Sequence, residues 1–134
     1  MLREFVKQMC SDLEIDADLT MDKEKTIEIS LNPDVKIHFK ELDPGIALQT
    51  MISPCPEERK EEFFMLLMRA NFLGQGTGGA RIGLDKQEKF LTLSLGLPYE
   101  LEYSSFKQYV EDFVNYLTYW REKIAEFEQG KTLV

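Results

Sequence analysis

Residues 26–52 contain three short runs in which apolar and polar side chains alternate, separated by two turn signals. In TIEISLN, Ile27, Ile29 and Leu31 share one face. In VKIHF, Val35, Ile37 and Phe39 share a face, with Lys36 and His38 opposite; IALQTMI follows the period more loosely. Alternation with period two is the pattern of a strand with one face buried and the other wet. Asn32-Pro33-Asp34 and Asp43-Pro44-Gly45 are turn sequences: proline presets φ, glycine allows positive φ, and Asn and Asp side chains bond their own backbone. Three strands joined by turns this short form an antiparallel meander.

Helical periodicity frames the meander. MLREFVKQMCSDLEI places Leu2, Phe5, Val6, Met9 and Leu13 on one side of an amphipathic helix. Pro54 and Pro56 end the third strand, and Pro56-Glu57-Glu58 puts proline and acids in the first turn of a second helix. That helix contains FFMLLM, residues 63–68. Six consecutive apolar residues at about 100° each go right round a helix, so this element needs cover on more than one side. Two further alternating runs, ARIGLD and KFLTLSLGLP, are joined by the polar hairpin loop DKQEK. A long last helix opens on a capping box at Ser105 and Gln108 and stops near Gly130. Within it Phe106, Val110, Phe113, Leu117, Trp120, Ile124 and Phe127 recur at alternating steps of four and three, a seam that covers a sheet or another helix of the same domain. The order α-β-β-β-α-β-β-α, with strands in runs, indicates an α+β fold: an antiparallel twisted sheet of about five strands with three helices. No repeat or long linker divides the chain, so 1–134 reads as a single domain.

The stretch NFLGQGTGGARIGLD, residues 71–85, invites another reading, because Gly74, Gly76 and Gly79 spell G-x-G-x-x-G. A dinucleotide fingerprint needs a strand, then the glycine turn, then a helix whose N-terminus faces the pyrophosphate. Here the helix comes first and the strand second, so the helix dipole has the wrong sense. No Gly-Lys-Ser/Thr closes the run as a P-loop would. The glycines read as a left-handed helix stop followed by a flexible turn into an edge or interface strand.

Charge and composition narrow the function. The net charge of −8 disfavours both nucleic acid and anionic membrane surfaces, and no run reaches the roughly 20 apolar residues of a membrane span. Neither does the N-terminus carry the apolar core of a signal peptide. Two cysteines, Cys10 and Cys55, make no disulfide framework and no zinc site and suit a reducing compartment. His38, the lone histidine, falls on the polar face of its strand and lacks catalytic company. Cys55, at a helix start between two prolines, sits where a thiolate would be stabilised, yet it has no base beyond His38. The expectation is a protein without enzymatic activity, metal or cofactor. What is unusual is apolar surface: nine Phe, six Met and five Tyr, with a doubly apolar second helix to be covered.

Residues 63–98, FFMLLMRANFLGQGTGGARIGLDKQEKFLTLSLGLP, resemble the class I type III secretion chaperones, the Tir chaperone family. The apolar helix ending in Asn71-Phe72, the glycine-rich passage and the strand Ala80–Asp85 carry the likeness, with Leu91–Leu95 and the closing Leu97-Pro98. Size, acidity and element order extend it along the chain. The resemblance implies a homodimeric chaperone of the bacterial cytoplasm without enzymatic activity. It implies a client as well: an N-terminal segment of a secreted effector or translocator, held extended, soluble and competent for secretion. A heterodimer with a related chaperone fits the same resemblance. So does an adaptor or regulator that binds a folded cytoplasmic protein. It places the dimer interface around the second helix and the strand after the glycines, where the candidates are Met65, Met68, Ile82 and Leu84. An extended ligand needs a free sheet edge and shallow apolar pockets, for which Leu2, Phe5, Val6, Met9, Ile27, Ile29 and Leu31 are the candidates on the first helix and first strand.

Overall fold

In a computed structural model of the chain, residues 1–74 and 76–130 are described, with every side chain among them except that of Leu73. The elements are α1 (Leu2–Asp12), β1 (Thr26–Asn32), β2 (Val35–Leu42), β3 (Gly45–Pro54), α2 (Lys60–Asn71), a 3-10 turn over Phe72–Gly74, β4 (Arg81–Leu84), β5 (Phe90–Leu97) and α3 (Tyr103–Glu128). The strands form one five-stranded antiparallel sheet in the order β1-β2-β3-β5-β4, so β1 and β4 are its edges. Two compact units interleave along the chain. The first is Met1–Thr50 with Leu95–Glu111, the second Met51–Ser94 with the chain from Asp112 onward.

In the first unit the antiparallel meander forms as anticipated, with a register shift in β1 between Ser30 and Asn32. Ile29 lies opposite Ile37, Ile27 opposite Phe39, and Phe39 opposite Leu48, all of them buried. The other face carries Glu28, His38 and Gln49 in a row. Asn32 makes the first turn as its residue type suggests, its Oδ1 accepting the Asp34 N–H at 2.8 Å. The Phe106 ring stacks on Phe5 at 5.2 Å and stands 5.9 Å from Phe39, joining α1, β2 and the start of α3.

In the second unit Phe113, Leu117, Trp120, Ile124 and Phe127 of α3 are buried. With Phe106 and Val110, also buried, the whole seam is covered within the chain. Phe127 meets Phe63 of α2 at 5.0 Å. Arg121 donates to the carbonyls of Ile52 at 2.8 Å and Met51 at 3.0 Å, binding α3 to the end of β3. In the 85–89 loop Asp85 Oδ1 accepts the N–H groups of Lys89 and Phe90.

Two helix starts differ from the sequence reading. α3 begins at Tyr103, its first bond running from Phe106 N–H to Glu102 O, so Ser105 is not its cap. The Tyr103 hydroxyl reaches Asp12 in α1 at 2.6 Å, a tertiary contact that holds the extra residues in the helix. α2 begins at Lys60 instead of at Pro56. Arg59 before it is left-handed at φ +55°, with its guanidinium 4.0 Å above the Phe127 ring and bonded to the Phe127 carbonyl. That anchorage sets the boundary where composition alone placed it a turn earlier.

Candidate functional site

The described part of the glycine run is folded back on itself. Gly74, at φ +70°, turns the chain back so closely that a Cβ there would lie 2.7 Å from the Cα of Gly79. The loop amides serve the loop itself: Gly76 N–H donates to Ala70 O, while Thr77 and Gly79 N–H both donate to Gly74 O. Trp120 Nε1 donates to Gly76 O at 2.9 Å and pins the loop to α3. A left-handed glycine does end the helical segment, one 3-10 turn later than the end of α2.

Cys55 is not an activated thiol. Burial pushes its pKa up, Lys60 pulls the other way, and Glu128 adds to the rise. The expected stabilisation of a thiolate fails because Cys55 lies outside α2, which starts five residues later. The thiol faces the main-chain carbonyl of Pro56 in a hollow of about 580 Å³ shared with Pro54, Arg59, Phe127 and Gly130, and no described residue lining it is a histidine. His38 stands 3.8 Å from Glu28 on the wet face of the meander. Among the described residues no His, Cys, Asp and Glu cluster could hold a metal ion, and no helix is long and apolar enough to cross a membrane.

Two surfaces carry the candidate binding residues. The first is β1 with α1. Of the seven candidate residues there, Leu2, Val6, Met9, Ile27 and Ile29 are fully buried, so they are core of the protomer, not accessible pocket. Phe5 and Leu31 are half-buried and keep surface of their own. The backbone of β1 offers more. Glu41 N–H donates to Lys25 O at 2.9 Å, which sets the phase of the ladder. Lys25, Ile27 and Ile29 therefore turn their polar groups toward β2, and Thr26, Glu28 and Ser30 turn theirs outward. Asp22 occupies Thr26 from both sides, through its Oδ1 and its own N–H. The outward N–H and C=O groups of Glu28 and Ser30 have no protein partner among the described residues.

The second surface runs along α2. Met65 and Met68, 53% and 74% exposed, form a stripe with Phe72 at 63%. Phe72 was missed in the sequence reading because it lies just past the helix end, yet its spacing of four from Met68 continues the stripe. Leu84 on β4 is 41% exposed, whereas Ile82 is buried beneath the strand and offers a second subunit little side-chain area.

At the end of α1, Asp12 accepts from the Tyr103 hydroxyl and lies 3.6 Å from Lys107 Nζ, and the Tyr103 ring stands 6.2 Å from that of Phe5. The Tyr103 bond, ahead of Lys107, holds the Asp12 carboxyl below its usual range. Burial first, and then Asp12, push Tyr103 up to about 12. A folded-state tyrosine pKa above the unfolded value of about 10 gives stability that is complete below pH 10 and lost as pH rises toward 12. Asp12 contributes above its unfolded pKa of about 3.9 and loses that contribution as pH falls through its lower folded value. The difference in thermal midpoint between the wild type and Tyr103→Phe is therefore expected to be largest between these limits and to shrink at both extremes. A difference independent of pH in a thermal-melt series would remove this latch.

Known proteins share the fold. A Chlamydia pneumoniae protein is 23% identical over 122 residues, covering 90% of this chain and 93% of that one. The ExsC–ExsE complex contains a chain that superposes with a TM-score of 0.75 at 13% identity, covering 90% of this chain and 91% of its own length. The HopA1–SchA chaperone–effector complex contains another, with a TM-score of 0.66 at 16% identity, covering 91% and 97%. These likenesses establish the fold. The model of the Tir chaperone protein (CesT) family matches residues 4–121, and the chain, as its residues 63–98 anticipated, belongs to that family.

Proposed function

We propose that residues 1–134 act as one domain of a homodimeric type III secretion chaperone in the bacterial cytoplasm. It binds the N-terminal segment of a secreted effector or translocator and keeps that segment extended and soluble. The observation that carries this reading is the open backbone at Glu28 and Ser30 on the edge strand β1, in a chain of a chaperone family. An extended segment can add there as a further strand, with main-chain bonds supplying affinity. Phe5 and Leu31 are the accessible candidates for its side chains. Ordering an unfolded segment costs free energy, which strand addition and apolar burial offset. One structural neighbour is a chain of a chaperone–effector complex, which supports the same assignment. Binding by occupancy needs no cofactor and no catalytic residue.

Capture of the tagged protein from its native cytoplasm, followed by limited proteolysis, tests this. The expected product is a short protected fragment from near the N-terminus of a larger protein, bound to a dimer. Co-elution of intact folded proteins alone, with no protected segment, would replace this reading with that of an adaptor or regulator.

A further inference from the structure

The two edges of the sheet are treated differently. Asp85 N–H donates to Phe90 O at 3.0 Å, and Gly83 lies opposite Thr92, so Arg81, Gly83 and Asp85 turn their backbone groups toward β5. Ala80, Ile82 and Leu84 turn theirs outward, along the free side of β4. Two of these three are already occupied. Ile82 N–H donates to Asn71 Oδ1 at 2.9 Å, and Asn71 Nδ2 donates to Ile82 O at 2.9 Å. Ala80 N–H donates to Thr77 O at 3.2 Å, and the Thr77 hydroxyl donates to Ala80 O. Thr77 is a fully buried polar residue, spent on this contact.

An asparagine side chain has the same donor and acceptor pair as a peptide group, so it satisfies one strand residue as a neighbouring strand would. Strand addition needs at least two consecutive outward residues, and on β4 only Leu84 remains. On β1 the outward groups of Glu28 and Ser30 are both open. Exposed edges template pairing with any extended chain, another copy included.

We propose that Asn71 and Thr77 are specificity-determining residues: they shut the β4 edge, so that an extended polypeptide segment lengthens the sheet only at β1. The nature of the client strand rests on the chaperone reading; the closure of β4 rests on hydrogen bonds within this chain. It also gives the glycine run a task. The turn through Gly74 brings Thr77 back against Ala80, and the end of α2 presents Asn71 to Ile82.

The test uses the chain alone, so its failure and that of the chaperone reading are separable. The double variant Asn71→Ala/Thr77→Val removes both guards, and Thr77→Ser keeps the hydroxyl as a control. In N71A the Ile82 amide is expected to exchange with deuterium about tenfold faster, while the Gly83 amide, bonded toward β5, changes less than about threefold. In sedimentation velocity the double variant is expected to form species larger than any of the wild type, increasing with concentration, and T77S is expected to match the wild type. An unchanged size distribution in the double variant overturns the proposal. So does parallel acceleration at Ile82 and Gly83, which would mean that the two residues merely hold the strand in place.

Discussion

Phe106→Ala is expected to lower the free energy of unfolding by about 3–5 kcal/mol, the loss typical of a buried phenylalanine truncated in a core that cannot fully collapse. Phe106 is fully buried and meets Phe5 and Phe39, so its removal strips ring contacts from α1 and β2 together. A domain of this size has only about 5–15 kcal/mol to lose. Phe106→Leu keeps much of the volume and retains a transition if the alanine variant does not fold. Phe72→Ala, at a position of the same residue type exposed in the protomer, is expected to change the stability of the dissociated protomer by less than about 0.5 kcal/mol. Urea unfolding followed by circular dichroism separates the two. Equal losses at 106 and 72 would mean that the ring cluster is not the centre of its unit.

The strands and the α3 seam were legible because burial imposes a period. A residue on β1 or β2 is either toward the helices or toward water, and alternation records that choice directly. The same signal cannot say who covers an apolar face. Leu2, Val6, Met9, Ile27 and Ile29 bore the pattern of a ligand groove and the pattern of a core equally well, and the protomer itself buries them. α2 was different, because apolar residues all round a helix exceed what one sheet can cover. The exposed Met65 and Met68 are that excess. Least legible were the contacts between segments distant in sequence. The hold of Arg121 on Met51 and Ile52 spans about seventy residues, and the grip of Asn71 on Ile82 depends on a turn whose path only folding decides. The glycines announced a tight turn without announcing its purpose. A Cβ at Gly74 would strike the backbone of Gly79, and a phosphate loop would carry the same residue types for a different reason.

The double substitution Met65→Asp/Met68→Asp is expected to weaken self-association by a factor of 100 or more while leaving the protomer folded. Met65, Met68 and Phe72 follow one another at steps of three and four, forming one apolar stripe on the outside of α2. If that stripe is the centre of the proposed homodimer, each methionine lost there removes on the order of 1–2 kcal/mol of binding. Each aspartate also brings a carboxylate that must be stripped of water opposite its own symmetry mate, since a two-fold interface presents the same patch from both subunits. Because a two-fold interface carries each substitution twice, the losses come to about 4–8 kcal/mol, beyond the roughly 2.8 kcal/mol that corresponds to a hundredfold change in dissociation constant. Because both positions are exposed in the protomer, the cost to folding is expected to stay within about 0.5 kcal/mol. Sedimentation equilibrium supplies the association constant, and circular dichroism the fold. A folded double variant that associates as tightly as the wild type would place the subunit contact elsewhere.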